Sequence, residues 1–305
     1  MTALSKIRDL NVKDPSTPGR PGCISAASGL VRRGGFIYVI ADDELHLGVF
    51  REDDSRSGEL IRLFAGELPE GAKDRKKAKP DFETLAFVPA FEDFPQGALL
   101  AMGSGSRPNR TFGALLALNA AGAVEGLPRV VDLACIVTPL AEMFPALNIE
   151  GVVVRGETFT VFQRGNKKQS QSAMVHLPRG RVLRELGRAE QEAVAPRACH
   201  HVDLGDIDGI PLSFTDASVL PGGDMMFAAV AEDTDDAYAD GLCAGASIGR
   251  VSHDGALRWI RTLDAAHKIE GLGARVDDAE IKLLLVTDAD DVAIPAGLFS
   301  ATIAL

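Results

Sequence analysis

Short apolar runs recur along the chain and are cut by polar turns rich in Gly, Pro, Asn and Asp. Residues 35–41, 45–50 and 59–64 form one such set, and 84–88, 98–102, 113–118 and 128–133 a second. A third set covers 152–154, 158–163, 173–177 and 182–186, and a fourth 217–220, 225–231, 246–251 and 257–263. β-Branched and aromatic residues suit such runs to a pleated surface, and the spacing predicts antiparallel all-β architecture. The last set, 272–276, 281–287 and 298–303, has only three runs, and residues 5–12 offer the missing outer strand. Two stretches break the pattern. Residues 136–147 have helical spacing interrupted by prolines, and 186–195 read as a short amphipathic helical turn between blades.

Each set opens on a short polar tag. The tags are Ser28-Gly29-Leu30, Glu83-Thr84-Leu85, Glu150-Gly151-Val152, Asp216-Ala217-Ser218 and Glu270-Gly271-Leu272. Their steps are 55, 67, 66 and 54 residues, and joining the termini gives a fifth of 63. A period that closes on itself predicts a ring of similar units. The expectation is a five-bladed β-propeller with four-stranded antiparallel blades, a single domain over residues 1–305, closed by the N-terminal strand. A six-bladed alternative needs an untagged blade around residues 200–212.

Composition narrows the partners. The chain has 305 residues, 46% of them apolar and 25% charged, as expected of a folded protein with a sizeable core. Its net charge of −11 makes a poor surface for nucleic acid or anionic membrane. The basic clusters at 73–79 and 164–168 read as solvated loops. The N-terminus shows no signal-peptide pattern and no run reaches a membrane span, so a cytoplasmic location is expected. Cys23, Cys135, Cys199 and Cys243 are isolated and read as reduced. Oligomeric state is not legible.

In a propeller the start of each first strand faces the axis. Ser28, Glu83, Glu150, Asp216 and Glu270 would then meet as a ring of oxygen donors, whose repelling carboxylates a hard cation such as Ca²⁺ would relieve. In the alternative, each acid hydrogen-bonds backbone amides of the next blade. The ends of the second strands supply an outer collar containing Asp42, Arg107, Arg110, Arg164, Asn166, Glu232 and Asp288. The arginines would grip a small phosphorylated or carboxylated ligand, and Glu150 or Glu232 would activate water if the site is hydrolytic. A non-catalytic binding propeller is the competing expectation. Asp203, Asp206 and Asp208 lack the spacing of a calcium loop and read as a turn. His200 and His201 are adjacent on a strand and point oppositely.

The tags resemble those of phytase-like and SdiA-regulated-type β-propeller proteins, and the fivefold count with a closing Glu270-Gly271-Leu272 is similar to the calcium-activated nucleotidases (apyrases). The resemblance is confined to three or four residues per blade. It implies a central Ca²⁺ held by Ser28, Glu83, Glu150 and Glu270, with Asp216 in place of a serine or glutamate. It also implies a phosphate collar at Arg107 and Arg164; the sequence departs from the nucleotidases outside the tags, so catalysis is not inherited with the fold, and an enzyme of this kind would be a calcium-dependent hydrolase of phosphoric esters or anhydrides.

Overall fold

The computed structural model describes residues 1–166, 172–234, 241–264 and 267–305. Its strands form five antiparallel sheets arranged as a five-bladed β-propeller. Blade 1 runs outward through Ala27–Arg33, Phe36–Ala41, His46–Arg51 and Glu59–Arg62. Blade 2 comprises Phe82–Val88, Ala98–Gly103, Phe112–Leu118 and Val124–Asp132, and blade 3 Ile149–Arg155, Thr158–Gln163, Ala173–Pro178 and Ala198–His201. Blade 4 has Ile210–Val219, Met225–Asp233, Leu242–Val251 and Leu257–Thr262, with Asp206–Ile207 added inside as a fifth strand. Asp208 and Gly209 both have positive φ in that two-residue hairpin, so the aspartate-rich stretch is a tight turn.

Blade 5 closes the ring as expected. Ser5–Asp9 pairs with Gly297–Ala304, Ser5 opposite Ser300 and Asp9 opposite Gly297, beside Glu280–Asp288 and Lys268–Asp277. First and last residues of the fold thus share one sheet, and the outer edge left by the C-terminal strand is covered. Apolar side chains from facing blades fill the seams. Tyr38, Ile40, Leu85 and Leu99 pack between blades 1 and 2, and Phe162, Phe214 and Phe227 between blades 3 and 4.

Three helices lie outside the blades: α1 (Ala72–Ala78), α2 (Ala134–Met143) and α3 (Arg179–Leu186). Residues 182–186, expected as an outer strand, belong to α3; Val182, Leu183 and Leu186 are buried at helical spacing, and Ala198–His201 takes the strand position instead. No helix covers 186–195, since α3 ends at Leu186. α2 accommodates Pro139 without an orphaned carbonyl. The proline has no N–H for Cys135 O, four residues earlier, and that oxygen accepts from Val194 N at 2.9 Å instead. No helix among the described residues is long and apolar enough to cross a membrane.

Every innermost strand carries a β-bulge at its tag. Ala27 pairs with Ala41 and Gly29 with Ile40, leaving Ser28 as the extra residue. The same slip isolates Glu83, Glu150 and Glu270. In blade 4 it isolates Thr215, between Phe214 and Asp216. A bulge re-aims the side chain it carries, so these five residues are equivalent. The fourth member of the ring is therefore Thr215, and Asp216 lies one position further along.

Candidate functional site

Four of the five bulged residues line one mouth of the central channel, and the fifth, Thr215, is fully buried beside it. Ser28, Glu83, Glu150 and Glu270 line the mouth, together with Asp42, Arg110, Arg164, Asn166, Glu232 and Asp288 from the expected collar. Asp81, Asn148 and Lys268 also line it, each two residues before a tag. Lys76 and Lys79, in and after α1, complete its cationic side chains. Arg107 is exposed ahead of a short 3₁₀ turn and does not line the mouth. The space at this mouth is about 60 Å³, enough for an ion with several waters and well below the few hundred Å³ of a pocket that encloses a drug-sized ligand.

The two hydroxyl tags act as clips between blades. Ser28 donates to Phe82 O, and Thr215 donates to Ile269 O at 2.7 Å. In both cases the acceptor immediately precedes the glutamate of the next blade. Asp216 is also a clip: Oδ1 accepts from Ala217 N and Oδ2 from Leu272 N, each at 2.7 Å, and the Leu30 amide adds a third donor. Its carboxylate ties blades 4, 5 and 1 together below the mouth and is not among the groups lining it. This is the amide-bonding alternative, realised at one position. Gly29, Gly151 and Gly271 follow their tags because the strands crowd here. A Cβ on Gly29 would come 2.9 Å from Leu85 N, and one on Gly271 3.1 Å from Gly29 C.

Protein cations neutralise much of the ring. Arg164 reaches Glu232 at 2.5 Å, Glu150 at 3.3 Å and Glu270 at 3.6 Å. Lys268 lies 2.9 Å from Asp290, 3.1 Å from Asp288, 3.7 Å from Glu232 and 3.9 Å from Glu270. Lys79 pairs with Asp42 and, at 2.9 Å, with Asp81. Arg110 meets the other Asp81 oxygen at 2.5 Å, where Ser104 also donates at 2.6 Å. Asp81 is held in the left-handed region at φ 58° to do this, a conformation aspartate tolerates better than most residues. Against burial, the surrounding carboxylates raise the pKa values of Arg164, Lys79 and Lys268, so all three stay charged.

Compensation is incomplete. Among the described residues, seven lining carboxyl groups face five lining cations, an excess of two negative charges when all are ionised. Glu270 is 4% exposed and neither oxygen has a hydrogen-bond partner. Glu83 makes no hydrogen bond or ion pair among the described residues. Burial, then repulsion from Glu150, pushes Glu83 well above the usual carboxylate range. Burial does the same to Glu270, with Glu150 and Glu232 adding to it against Arg164 and Lys268. Glu150 is pushed to about 7 by burial, and Asn148 donates to its Oε1 at 2.5 Å. Asp42 rises to about 7 and Asp288 to about 6, again chiefly through burial. Oxygens of Asp42, Asp81 and Glu83 lie within 4.8 Å of one another, the span across an ion with bonds of ~2.4 Å. The Lys79 ammonium already bridges two of the three.

Residues 23–303 match the sequence profile of a family of unknown function, DUF6929, rather than those of the phytase-like or nucleotidase groups that the tags resemble. No curated protein matches in sequence. Among solved structures, the chain is similar to an alpha-L-arabinofuranosidase from Podospora anserina solved with cellotriose, at 11% identity and a TM-score of 0.50, covering 99% of this chain and 96% of that one. It is also similar to a family 43 arabinoxylan arabinofuranohydrolase from Bacillus subtilis solved with cellotetraose, at 11% identity and a TM-score of 0.51, over 95% and 66% of the two chains. At such identities the likeness is one of fold.

Proposed function

The chain belongs to this family of unknown function, and from the charge balance of its channel mouth we propose that it is a cation-centred binding propeller. One divalent ion of hard, oxygen-liganding character, Ca²⁺ foremost, would draw in Glu83, Glu150 and Glu270 beside Ser28; among the described residues only the oxygens of Asp42, Asp81 and Glu83 already lie within 4.8 Å of one another. The observation that carries this is the pair of under-compensated carboxyl groups, Glu83 and Glu270, which share one small, charge-crowded mouth with Glu150. A divalent ion offsets the twofold negative excess and relieves the repulsion that lifts these pKa values. An all-oxygen donor set favours Ca²⁺ over softer metals.

When bound, the ion supplies a Lewis-acidic contact for an anionic oxygen of a small phosphorylated or carboxylated ligand at the mouth. The ion is the better candidate for that contact, since Arg110 and Arg164 already carry carboxylates. The likeness to the two glycosidases, at 11% identity, is one of fold and carries no glycosidase chemistry to this chain.

A hydrolytic reading has one observation in its favour. Glu150, at about 7, sits where a carboxyl group can both take and give a proton at neutral pH. Chelator-stripped protein should melt several degrees lower than protein in millimolar Ca²⁺, and a panel of phosphomonoesters and nucleoside phosphates should show no turnover. Turnover that requires Ca²⁺ and is lost in Glu150→Gln would establish hydrolysis instead; a melting point indifferent to Ca²⁺ would sink the ion site.

A further inference from the structure

The opposite mouth of the channel has a different chemistry. Below the waist, all five blades contribute to a cavity of about 260 Å³ whose walls include Leu30, Leu85, Val152, Val219 and Leu272. Asp216 is bonded to the backbone of its wall. The carboxylate is satisfied by backbone amides of Leu272 and Leu30, two residues whose side chains belong to this cavity wall. Past the rim, a ligand meets Leu, Val and Ala side chains interleaved with backbone and with the Ser218 hydroxyl, whose Oγ already accepts from Ala274 N at 3.1 Å.

Two arginines stand at the rim, and they differ. Arg32 is committed to Glu52, donating from Nε at 2.7 Å. Arg33 has its guanidinium carbon 4.1 Å from the centroid of the Phe87 ring and makes no hydrogen bond or ion pair with a carboxylate among the described residues. Both Arg33 and Phe87 line the cavity. A guanidinium resting on an aromatic face keeps its N–H edge available for bidentate contact with a carboxylate. A cavity walled by Leu, Val and Ala side chains, with one uncommitted cation at its entrance, suits a short apolar body bearing one negative end.

We propose that this second mouth binds a small amphipathic monocarboxylate, its aliphatic body in the cavity and its carboxylate on Arg33. The site is separate from the acidic mouth and does not rest on the cation reading. Octanoate is the probe, titrated calorimetrically into the full-length protein with and without EDTA, and 1-octanol is the uncharged control. Octanoate should bind equally well in both buffers and better than octanol. Arg33→Met, which keeps the contact with Phe87 but loses the charge, should weaken octanoate about tenfold, the worth of one charge-assisted contact, and leave octanol unchanged. Ala274→Phe, which adds a ring to the cavity wall, should abolish both. Unchanged circular dichroism and melting of each variant would show that the fold is intact. Absence of octanoate binding, or octanoate binding that Arg33→Met does not weaken, would overturn the proposal.

Discussion

Thr215 and Ile269, 54 residues apart, are joined by a hydrogen bond of 2.7 Å that crosses from the inner strand of blade 4 to that of blade 5. Ser28 makes the same bond to Phe82 across the same sequence separation, from blade 1 to blade 2. The ring at the channel mouth is thus three glutamates and two hydroxyls. The hydroxyls fix the carbonyl next to a neighbouring glutamate, and so the backbone from which that glutamate projects. Cation chemistry and blade assembly meet at the same residues.

Replacing Thr215 with Val keeps its volume and removes the donor, leaving Ile269 O buried and unpaired. The expected loss is about 1–2 kcal/mol of unfolding free energy, read as a lower urea midpoint with an unchanged slope. Ser28→Ala should cost a similar amount. Wild-type stability in both variants would mean that the two bonds do not hold blades together.

Asp216 is a structural clip, and its removal separates that role from ion binding. Asp216→Ala exposes no cavity to solvent but strands the buried amides of Ala217, Leu272 and Leu30, at a cost of about 3 kcal/mol or more. Where the variant remains folded at low temperature, it should still take up one Ca²⁺ per chain. Loss of Ca²⁺ without loss of stability would make Asp216 a ligand.

Crowding at the waist makes a third expectation. Gly29→Ala places a methyl group 2.9 Å from the Leu85 amide nitrogen, where only backbone movement can make room. A destabilisation of about 1–3 kcal/mol follows from such overpacking, measurable by thermal melting, and a neutral result would show that adjacent inner strands can part freely.

Stability without metal should fall as pH rises across the neutral range. Asp42 and Glu150 at about 7 and Asp288 at about 6 bind protons more tightly folded than unfolded, where carboxyls titrate near 4. Raised folded values contribute stability that is complete below about pH 4 and is lost as pH climbs through 6 and 7. His176, held low by burial, works in the opposite sense, one group against three. In EDTA the urea midpoint should therefore decline from pH 5 to pH 8, and saturating Ca²⁺ should flatten that decline. A midpoint that rises over the same interval in EDTA would contradict the charge balance described for the mouth.

The blades were legible because alternation and turn residues recur with the tags, and the ring closure because residues 5–12 supply a strand that the last blade lacks. Most of the collar was legible for the same reason: second strands end at the same level as first strands begin, which brings Asp42, Arg164, Glu232 and Asp288 together. Arg107 was not separable from Arg110 by pattern, since the 3₁₀ turn between them decides which one turns inward. Blade 4 was misaligned by one residue. Both Thr215 and Asp216 are polar, and the choice between them is made by a bulge that leaves no mark on the sequence. Asp81, Asn148 and Lys268 were missed, although a polar residue two positions before a glutamate tag recurs in blades 2, 3 and 5. The buried partners of Arg164 and Lys268 come from three blades, and no local spacing encodes such pairings.

The most direct test is calorimetric titration of chelator-stripped, full-length protein with CaCl₂. One ion per chain should bind the wild type, with protons released near pH 6.5 as the carboxyl groups ionise. Glu83→Gln and Glu270→Gln should each abolish that binding, whereas Asp42→Asn, whose side chain serves Lys79, should retain it. Absence of binding by the wild type, or binding that survives in Glu83→Gln and Glu270→Gln, would contradict a cation centre at the ring of tags.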